Sequence, residues 1–519
     1  MPTLNWIGKD KVVNHHLDVP FRTLEKQYTF APNGGDDDGN MITHGDNLDA
    51  LKALLPMYEG RVKCIYIDPP YNTCNEKWVY NDNVNDPHIK AWLGKVVGAE
   101  GEDLSRHDKW LCMMYPRLKL LQKLLAEDGV IFISIDDTEY ANLKLICDEI
   151  FGNYSETIVW QKRTSPDARK KLSSGHEYIL IYTKNPDQNL GLRLLPLEGK
   201  DAEAYVNPDN DPRGPWISSP FTAPGYRPNQ MYPITTPTGK TVLPPKGRCW
   251  CNIEEVYQRL LSEGRMWFGA DGNGVPRRKT YLSEREGRGT WTWWTNSEVG
   301  YTQIATQELA TILGKAVFDY PKPVRLIERI LKIASDPDSI ILDSFAGSGT
   351  TAHAVLNMNK QDGGNRKFIL IEMMDYADSI TAERVKRVID GYGDGKKAVE
   401  GTGGGFTFYE LGEMLLDGEY LNENVPLDKI RSYVYFTETK QAVPDKADEP
   451  YFLGEYFDTA YYFYYDKNEV TTLDREFLHT VKTTAQSYVI YADRCILSDE
   501  ELEKFHITFK KIPRDITRM

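Results

Sequence analysis

Asp68, Pro69, Pro70 and Tyr71 stand at the end of the β-rich run Val62–Ile67, where a buried strand hands its loop to a ligand. These four residue types suit one task, the activation of an exocyclic amine on a nucleic-acid base. Such an amine is a poor nucleophile because its lone pair is delocalised into the ring. A carboxylate and a backbone carbonyl that accept its two protons draw that lone pair out of conjugation. Asp68 offers the carboxylate and Pro69 the carbonyl. The prolines bring no N–H donors and fix the loop, and Tyr71 offers a face for an extruded base. The plain alternative is a Pro-rich turn after a strand.

A second cluster runs from Phe345 to Thr351 (FAGSGTT), between the strand expected at Ser339–Leu342 and a following helix. Gly347 and Gly349 let backbone N–H groups approach a ligand, Ser348 and Thr350 add hydroxyls, and the helix N-terminus favours an anionic group. No lysine follows the second glycine, so this is not a Walker loop. Nor is it the full G-x-G-x-x-G dinucleotide pattern, because Ala352 and His353 follow. Glu372 ends the next strand, 23 residues beyond Gly349, where a carboxylate can accept both hydroxyls of a ribose. Together these describe a nucleoside ligand with a small carboxylate and no required triphosphate. S-adenosylmethionine fits that description. The alternative is a tight strand-to-helix turn with a surface glutamate.

The elements that must position these residues read as alternating α/β. Met41–His44 is a strand candidate before a helix carrying Leu48, Leu51, Leu54 and Leu55. A long helix is expected at about Asp108–Ala126, closed by Asp128 and Gly129, then a buried strand at Val130–Ile135. Asp136, Asp137 and Thr138 then have the residue types of a helix cap. Thr157–Gln161 and Tyr178–Thr183 are further strands. From about Pro186 to Ala310 the texture changes to Pro, Gly and Trp, and residues 190–310 carry a net charge of +1 against −14 for the whole chain. The α/β texture returns with a helix at Pro323–Ala334, a strand at Lys367–Ile371 and a helix at Ser379–Ile389. The acidic, tyrosine-rich remainder ends in a strand-helix-strand pattern at Tyr488–Ala492, Asp499–Phe505 and Ile507–Ile512.

The chain has 519 residues and is 41% hydrophobic, enough for about three domains with buried cores. No run of about 18 apolar residues appears and the N-terminus carries no signal pattern, so neither a membrane span nor secretion is expected. Seven cysteines, odd in number, fit a reducing cytoplasm. Cys249 and Cys251 lie close together, but no second pair completes a zinc site, and no metal is expected. The negative charge argues against a uniformly basic coat and leaves room for a local basic groove. Lys162, Arg163, Arg169, Lys170 and Lys171, and Arg277, Arg278 and Lys279, are candidate phosphate contacts, with solvated loops as the alternative. The pair His176 and Glu177 reads better as a packed strand end, and Asp136 with Asp137 as a helix start.

With both motifs present, the sequence resembles the β-class N6-adenine amino-methyltransferases of DNA, in which the catalytic half precedes the cofactor half and a target-recognition domain lies between. The stretches ITHGDNLDALKAL, YIDPPYNT, GVIFISIDDTEYANLKLICDEIFG, IVWQK, HEYILIYTKN and IEMMDYADSITAERVKRVI resemble the modification (Mod) subunits of type III restriction-modification systems. The resemblance covers about 41–185 and 316–410. It implies an α/β fold, with a Rossmann-like methyltransferase sheet in permuted order, an inserted β-rich or irregular recognition domain and a small C-terminal α/β domain. The expected divisions are an extension at 1–40, the catalytic half at 41–185, the recognition domain at 186–315, the cofactor half at 316–411 and an accessory domain at 412–519.

By residue, the resemblance assigns catalysis to Asp68, Pro69, Pro70 and Tyr71. It places Phe345, Gly347, Ser348, Gly349 and Thr350 on the methionine side of S-adenosylmethionine and Glu372 on its ribose. Asp46 and Asn47 fall near its adenine, and Lys322 in the segment that precedes the cofactor loop, with a helix-entry lysine as the alternative. Cys74 departs from the pattern, which has glycine there. The implied function is site-specific methylation of adenine N6 in double-stranded DNA by base flipping, in a restriction-modification or phage-defence system. The implied assembly is a homodimer, with a nuclease-helicase partner left open. Aspartate before Pro-Pro leans toward adenine, with cytosine N4 as the runner-up. A chain that mainly reads DNA for a larger nuclease complex is a separate reading.

Overall fold

The computed structural model describes residues 3–32, 37–73, 105–152, 154–184, 192–393, 395, 398–444 and 449–514. Two compact units emerge, one formed by Met1–Arg193 with Thr292–Met519 and the other by Leu194–Trp291. The larger unit is built on a ten-stranded mixed sheet. In chain order its strands are β1 (Arg22–Phe30), β2 (Met41–His44), β3 (Val62–Ile67), β4 (Leu125–Ile135), β5 (Tyr154–Gln161), β6 (His176–Thr183), β7 (Trp293–Trp294), β8 (Ile340–Asp343), β9 (Lys367–Glu372) and β10 (Phe406–Met414). Across the sheet they lie in the order β1-β10-β2-β9-β8-β3-β4-β6-β5-β7. The strands from β10 to β4 run parallel, while β6 is antiparallel to β4 and β1 to β10.

Parallel strands must be covered on both faces, and the sequence provides for it. β3 reads VKCIYI and is buried at every position but Lys63. The covering helices are α1 (Asn47–Tyr58), α2 (Arg106–Leu124), α3 (Tyr140–Phe151), α4 (Val324–Ala334), α5 (Thr350–Asp362) and α6 (Glu383–Asp390). They pack as two groups, α1 on α2 on α3 and α4 on α5 on α6. Helix α2 is started by a capping box in which the Ser105 and Asp108 side chains satisfy each other's backbone N–H. Helix α4 buries Val324, Ile327, Leu331 and Ala334 along one stripe.

This order places the chemistry. From β3 the chain moves outward to β4, and from β8 it moves the opposite way to β9. A crevice therefore opens at the carboxyl ends of β3 and β8, the topological switch point where open α/β sheets bind ligands. Asp68 follows β3, the FAGSGTT loop follows β8, Glu372 ends β9 and Asp46 follows β2.

Several local expectations change. β4 begins at Leu125, so Asp128 and Gly129 lie within the strand and do not close a helix. Asp136 Oδ1 accepts Thr138 N at 2.8 Å in a turn, and α3 starts only at Tyr140. The helix expected from Ser379 opens as a π-helical stretch, Ala377–Ala382, before α6. Trp293 and Trp294 belong to the large sheet, as an edge strand parallel to β5. β10 runs across position 411, and helix Leu427–Thr439 sends Phe436 into the main core, where it meets Phe21. Beyond it, Phe452–Tyr456, Thr459–Phe463, Ser487–Ala492 and Ile507–Lys511 form a four-stranded sheet whose last three strands are parallel.

The smaller unit combines short antiparallel strands with short helices, the longest of them Glu254–Ser262. Its core gathers Phe221, Tyr232, Trp250, Tyr257 and Phe268. Lys279 is 4% exposed and ion-paired to Asp209 and Asp211, so it braces this unit and is not available to a phosphate.

Candidate active site

Asp68 leaves β3 at the edge of the crevice, and its two oxygens are already engaged. Tyr71 donates its hydroxyl to Oδ1 at 2.7 Å, and the Lys322 ammonium stands 2.5 Å from Oδ2. The Lys322 Nζ also lies 3.1 Å from the Tyr71 hydroxyl and 5.2 Å from the centre of its ring. Glu177, on β6, completes the group: its Oε1 accepts from Lys162 at 2.9 Å, and its Oε2 lies 3.2 Å from the Tyr71 hydroxyl and 3.6 Å from Lys322. The Pro70 carbonyl is held from below by the buried Trp110 indole N–H at 2.6 Å. That bond turns the Pro70 carbonyl into the core, while Pro69 lines the crevice.

The charges of this cluster are set by burial and mutual pairing. Burial pushes the Asp68 carboxyl above the usual carboxylate range, opposed by Lys322. Burial would do the same to Glu177, but Lys322, Lys162 and the Tyr71 hydroxyl together hold it below that range. Lys322 is raised because Asp68 and Glu177 outweigh its own desolvation.

The loop after β8 is tied from three directions. Asp343 accepts from the Phe345 backbone N–H at 3.1 Å and the Thr351 hydroxyl at 2.5 Å. Glu372 accepts from Gly347 N at 2.7 Å and Met374 N at 3.0 Å. Arg384, buried under the loop, donates to the Ser348 hydroxyl at 2.9 Å and the Thr350 hydroxyl at 2.8 Å. Gly347 and Gly349 both have positive φ, +53° and +79°. A Cβ on Gly349 would meet the Thr381 carbonyl at 3.1 Å, so the π-helical stretch sets how close the loop can lie.

A cavity of about 540 Å³ joins the two halves. Of the expected site residues, Asp68, Pro69, Tyr71, Lys322, Phe345, Gly347, Ser348 and Thr350 line it. Pro70, Asp46, Gly349 and Glu372, on loops or at strand ends, and Asn47, the first residue of α1, do not. Asp46 caps α1 through Leu48 N at 2.7 Å and pairs with Arg117 at 3.1 Å, while Asn47 donates to the Ser344 carbonyl at 3.1 Å. Arg163 and Lys170 reach the cavity rim, whereas Arg169 folds back on Asp167 at 2.9 Å. Cys74 lies outside the described residues.

Sequence reasoning missed Glu177, Lys162, Asp343 and Arg384 as parts of this site. One signal was present: Glu177 is the second residue of HEYILIYT, and a carboxylate near the head of a largely apolar strand needs a buried partner. Its direct partner, Lys162, is only 15 residues away, but the second cation, Lys322, lies in another part of the chain.

Comparison with known proteins bears on this geometry. The family model N6_N4_Mtase, DNA methylase, matches residues 62–383, a span that takes in Asp68, Tyr71, Glu177, Lys322, the FAGSGTT loop and Glu372. The chain belongs to the N6_N4_Mtase family of DNA methylases. Among relatives of this DNA methylase, the StyLTI Mod subunit of a type III restriction-modification enzyme from Salmonella typhimurium is 38% identical over 383 residues, 67% of this chain and 57% of that one. The EcoPI Mod subunit of Escherichia phage P1 is 32% identical over 423 residues, 71% of this chain and 63% of that one. The type II methyltransferase M.KpnI of Klebsiella pneumoniae is 34% identical over 364 residues, 65% of this chain and 81% of that one. The DNA methylase thus spans about three-fifths of the length of the Mod subunits it matches.

Proposed function

We propose that the protein transfers a methyl group from S-adenosylmethionine to the N6 amine of adenine in double-stranded DNA. The observation that carries this reading is the single cavity shared by Asp68, Pro69 and Tyr71 with Phe345, Gly347, Ser348 and Thr350. Methyl transfer needs an amine acceptor and a sulfonium donor in line, and this cavity has a wall for each. Asp68 and the Pro69 carbonyl accept the two amine protons, the lone pair leaves conjugation, and nitrogen attacks the methyl carbon. The C–S bond breaks, and one amine proton leaves through Asp68. Tyr71 provides the face of the base pocket, so the target base is extruded from the duplex. Ser348, Thr350 and the N-terminus of α5 would hold the cofactor's carboxylate, and Glu372 and Asp46 lie at the strand ends expected to hold its ribose and adenine.

Arg163 and Lys170 on the cavity rim suit the phosphates that flank an extruded base. The same reading gives sequence recognition to the unit Leu194–Trp291 and an accessory role to the sheet beyond Phe452. It places the enzyme in the cytoplasm with its DNA, as a homodimer, and makes a restriction subunit the partner class to seek, as the names of the Mod relatives suggest. Incubating the protein with labelled S-adenosylmethionine and duplex DNA, then digesting to nucleosides, tests it. N6-methyladenine is expected; label in N4-methylcytosine, or none, overturns the adenine assignment.

A further inference from the structure

Asp68, the carboxylate proposed to accept from the substrate amine, already accepts from a cation through one of its oxygens. Lys322 Nζ stands 2.5 Å from Asp68 Oδ2, and an ammonium there withdraws the charge needed to free the amine's lone pair. It also fills the space beside that oxygen. The same Nζ is 3.6 Å from Glu177 Oε2, roughly 1 Å beyond a charge-assisted hydrogen bond. Glu177 is fixed in place, because Lys162 anchors its other oxygen at 2.9 Å. Lys322 and Glu177 are each 10% exposed, so neither can trade its partner for bulk water without a desolvated charge being left behind.

Among the described residues, Asp68 and Glu177 are the carboxylates that pair with Lys322. Tyr71, on the loop after β3, contributes a neutral hydroxyl, and Lys162, at the end of β5, is a like charge. Asp343 at the end of β8 is committed to Phe345 N and Thr351, and Asp136 after β4 to Thr138 N. We propose that Glu177 is a positioning residue that receives the Lys322 ammonium when the substrate amine takes its place on Asp68. The cluster holds two carboxylates and two ammoniums in both arrangements, and only the partner of Lys322 changes. The proposal rests on the methyl-transfer reading above and adds to it a residue that does not touch the reacting atoms.

The test is single-turnover methylation of duplex DNA by the full chain at saturating labelled S-adenosylmethionine. Glu177→Gln is expected to slow methyl transfer about 10- to 100-fold, the range for one hydrogen bond to a charged group, with DNA affinity unchanged. In a separate steady-state series, the acid limb of its kcat/KM profile is expected to move to lower pH, because the Glu177 charge no longer raises Asp68. Adding Lys322→Met to Glu177→Gln is expected to give a faster step than Glu177→Gln alone, since the obstruction is gone. A wild-type rate in Glu177→Gln, an unmoved acid limb, or a double variant no faster than the single one overturns the proposal. If Glu177→Gln does not fold, the wild-type protein bound to substrate DNA and a non-reactive S-adenosylmethionine analogue decides. Lys322 Nζ within about 3 Å of Glu177 and away from Asp68 supports the proposal, and Nζ still on Asp68 overturns it. Wild-type protein that methylates no DNA base fails the methyl-transfer reading itself, and this proposal with it.

Discussion

Asp343 and Glu372 flank the glycine loop as buried carboxyl groups, and burial pushes each up to about 7. A raised carboxyl means that the folded protein keeps a proton which the unfolded chain has already released. The stability this gives is complete below the ordinary value of 4.5 for Glu372 and is lost as pH rises through about 7. The melting temperature should therefore fall as pH is raised across that window, and Glu372→Gln should flatten part of the fall; an equal slope in both proteins contradicts it. Cofactor binding should run the other way. In the proposed ribose role of Glu372, the hydroxyls donate to an ionised carboxylate, so S-adenosylmethionine should bind more weakly as pH drops below about 7. Glu372→Gln should weaken binding by about 1–2 kcal/mol at alkaline pH and remove most of that dependence, as read by calorimetric titration. The residue types of Asp68, Tyr71 and Glu372 were legible in the sequence because strand, turn and carboxylate are contiguous there. Lys322 on Asp68 was not legible, since the two residues lie 254 positions apart and meet only when β8 and β3 pair.

At the level of elements, the glycine loop is held by what lies beneath it. Gly349→Ala forces a side chain into φ +79° against the Thr381 carbonyl, itself fixed because the Thr381 hydroxyl donates to the Gly347 carbonyl at 2.5 Å. A loss of roughly 1–3 kcal/mol in stability is expected, together with weaker S-adenosylmethionine binding, because the loop must rise to accommodate the methyl group. Thermal melts with and without cofactor check this, and an unchanged melting temperature would argue that the loop is slack. Trp110→Phe tests the other half. Loss of the indole bond to the Pro70 carbonyl should cost about 1–2 kcal/mol and slow methyl transfer while leaving cofactor affinity intact. The strands carrying these loops could be read from their apolar runs. β1 and β10 could not: RTLEKQYTF is half polar, lies at the sheet edge, and shifts register twice against its partner. The π-helical stretch also escapes pattern, because its extra residue per turn changes no composition.

For the whole molecule, the proposed reader, Leu194–Trp291, and the proposed catalyst are separate compact units. Replacing Leu194–Trp291 with a short linker should leave a protein that binds S-adenosylmethionine, since the lining residues of the cavity all belong to the other unit. It should no longer prefer any DNA sequence; selective methylation of one motif by that variant contradicts the division. The insert's boundaries were only partly legible, because the tryptophan-rich texture continues into β7, which belongs to the large sheet. The C-terminal region shares core residues with α1 and β1 through Phe436 and Phe21, so a truncation that keeps the sheet whole must lie beyond β10. In the proposed function, Asp68 drives adenine N6 methylation at a defined sequence. That role is tested most directly by modified-base sequencing of DNA from cells expressing either the intact protein or Asp68→Ala, with S-adenosylmethionine binding measured on both purified proteins. N6-methyladenine at one recurring motif with the intact protein, none with Asp68→Ala, and similar cofactor binding by both is the expected result. Equal methylation from Asp68→Ala, or no N6-methyladenine from the intact protein, would contradict it.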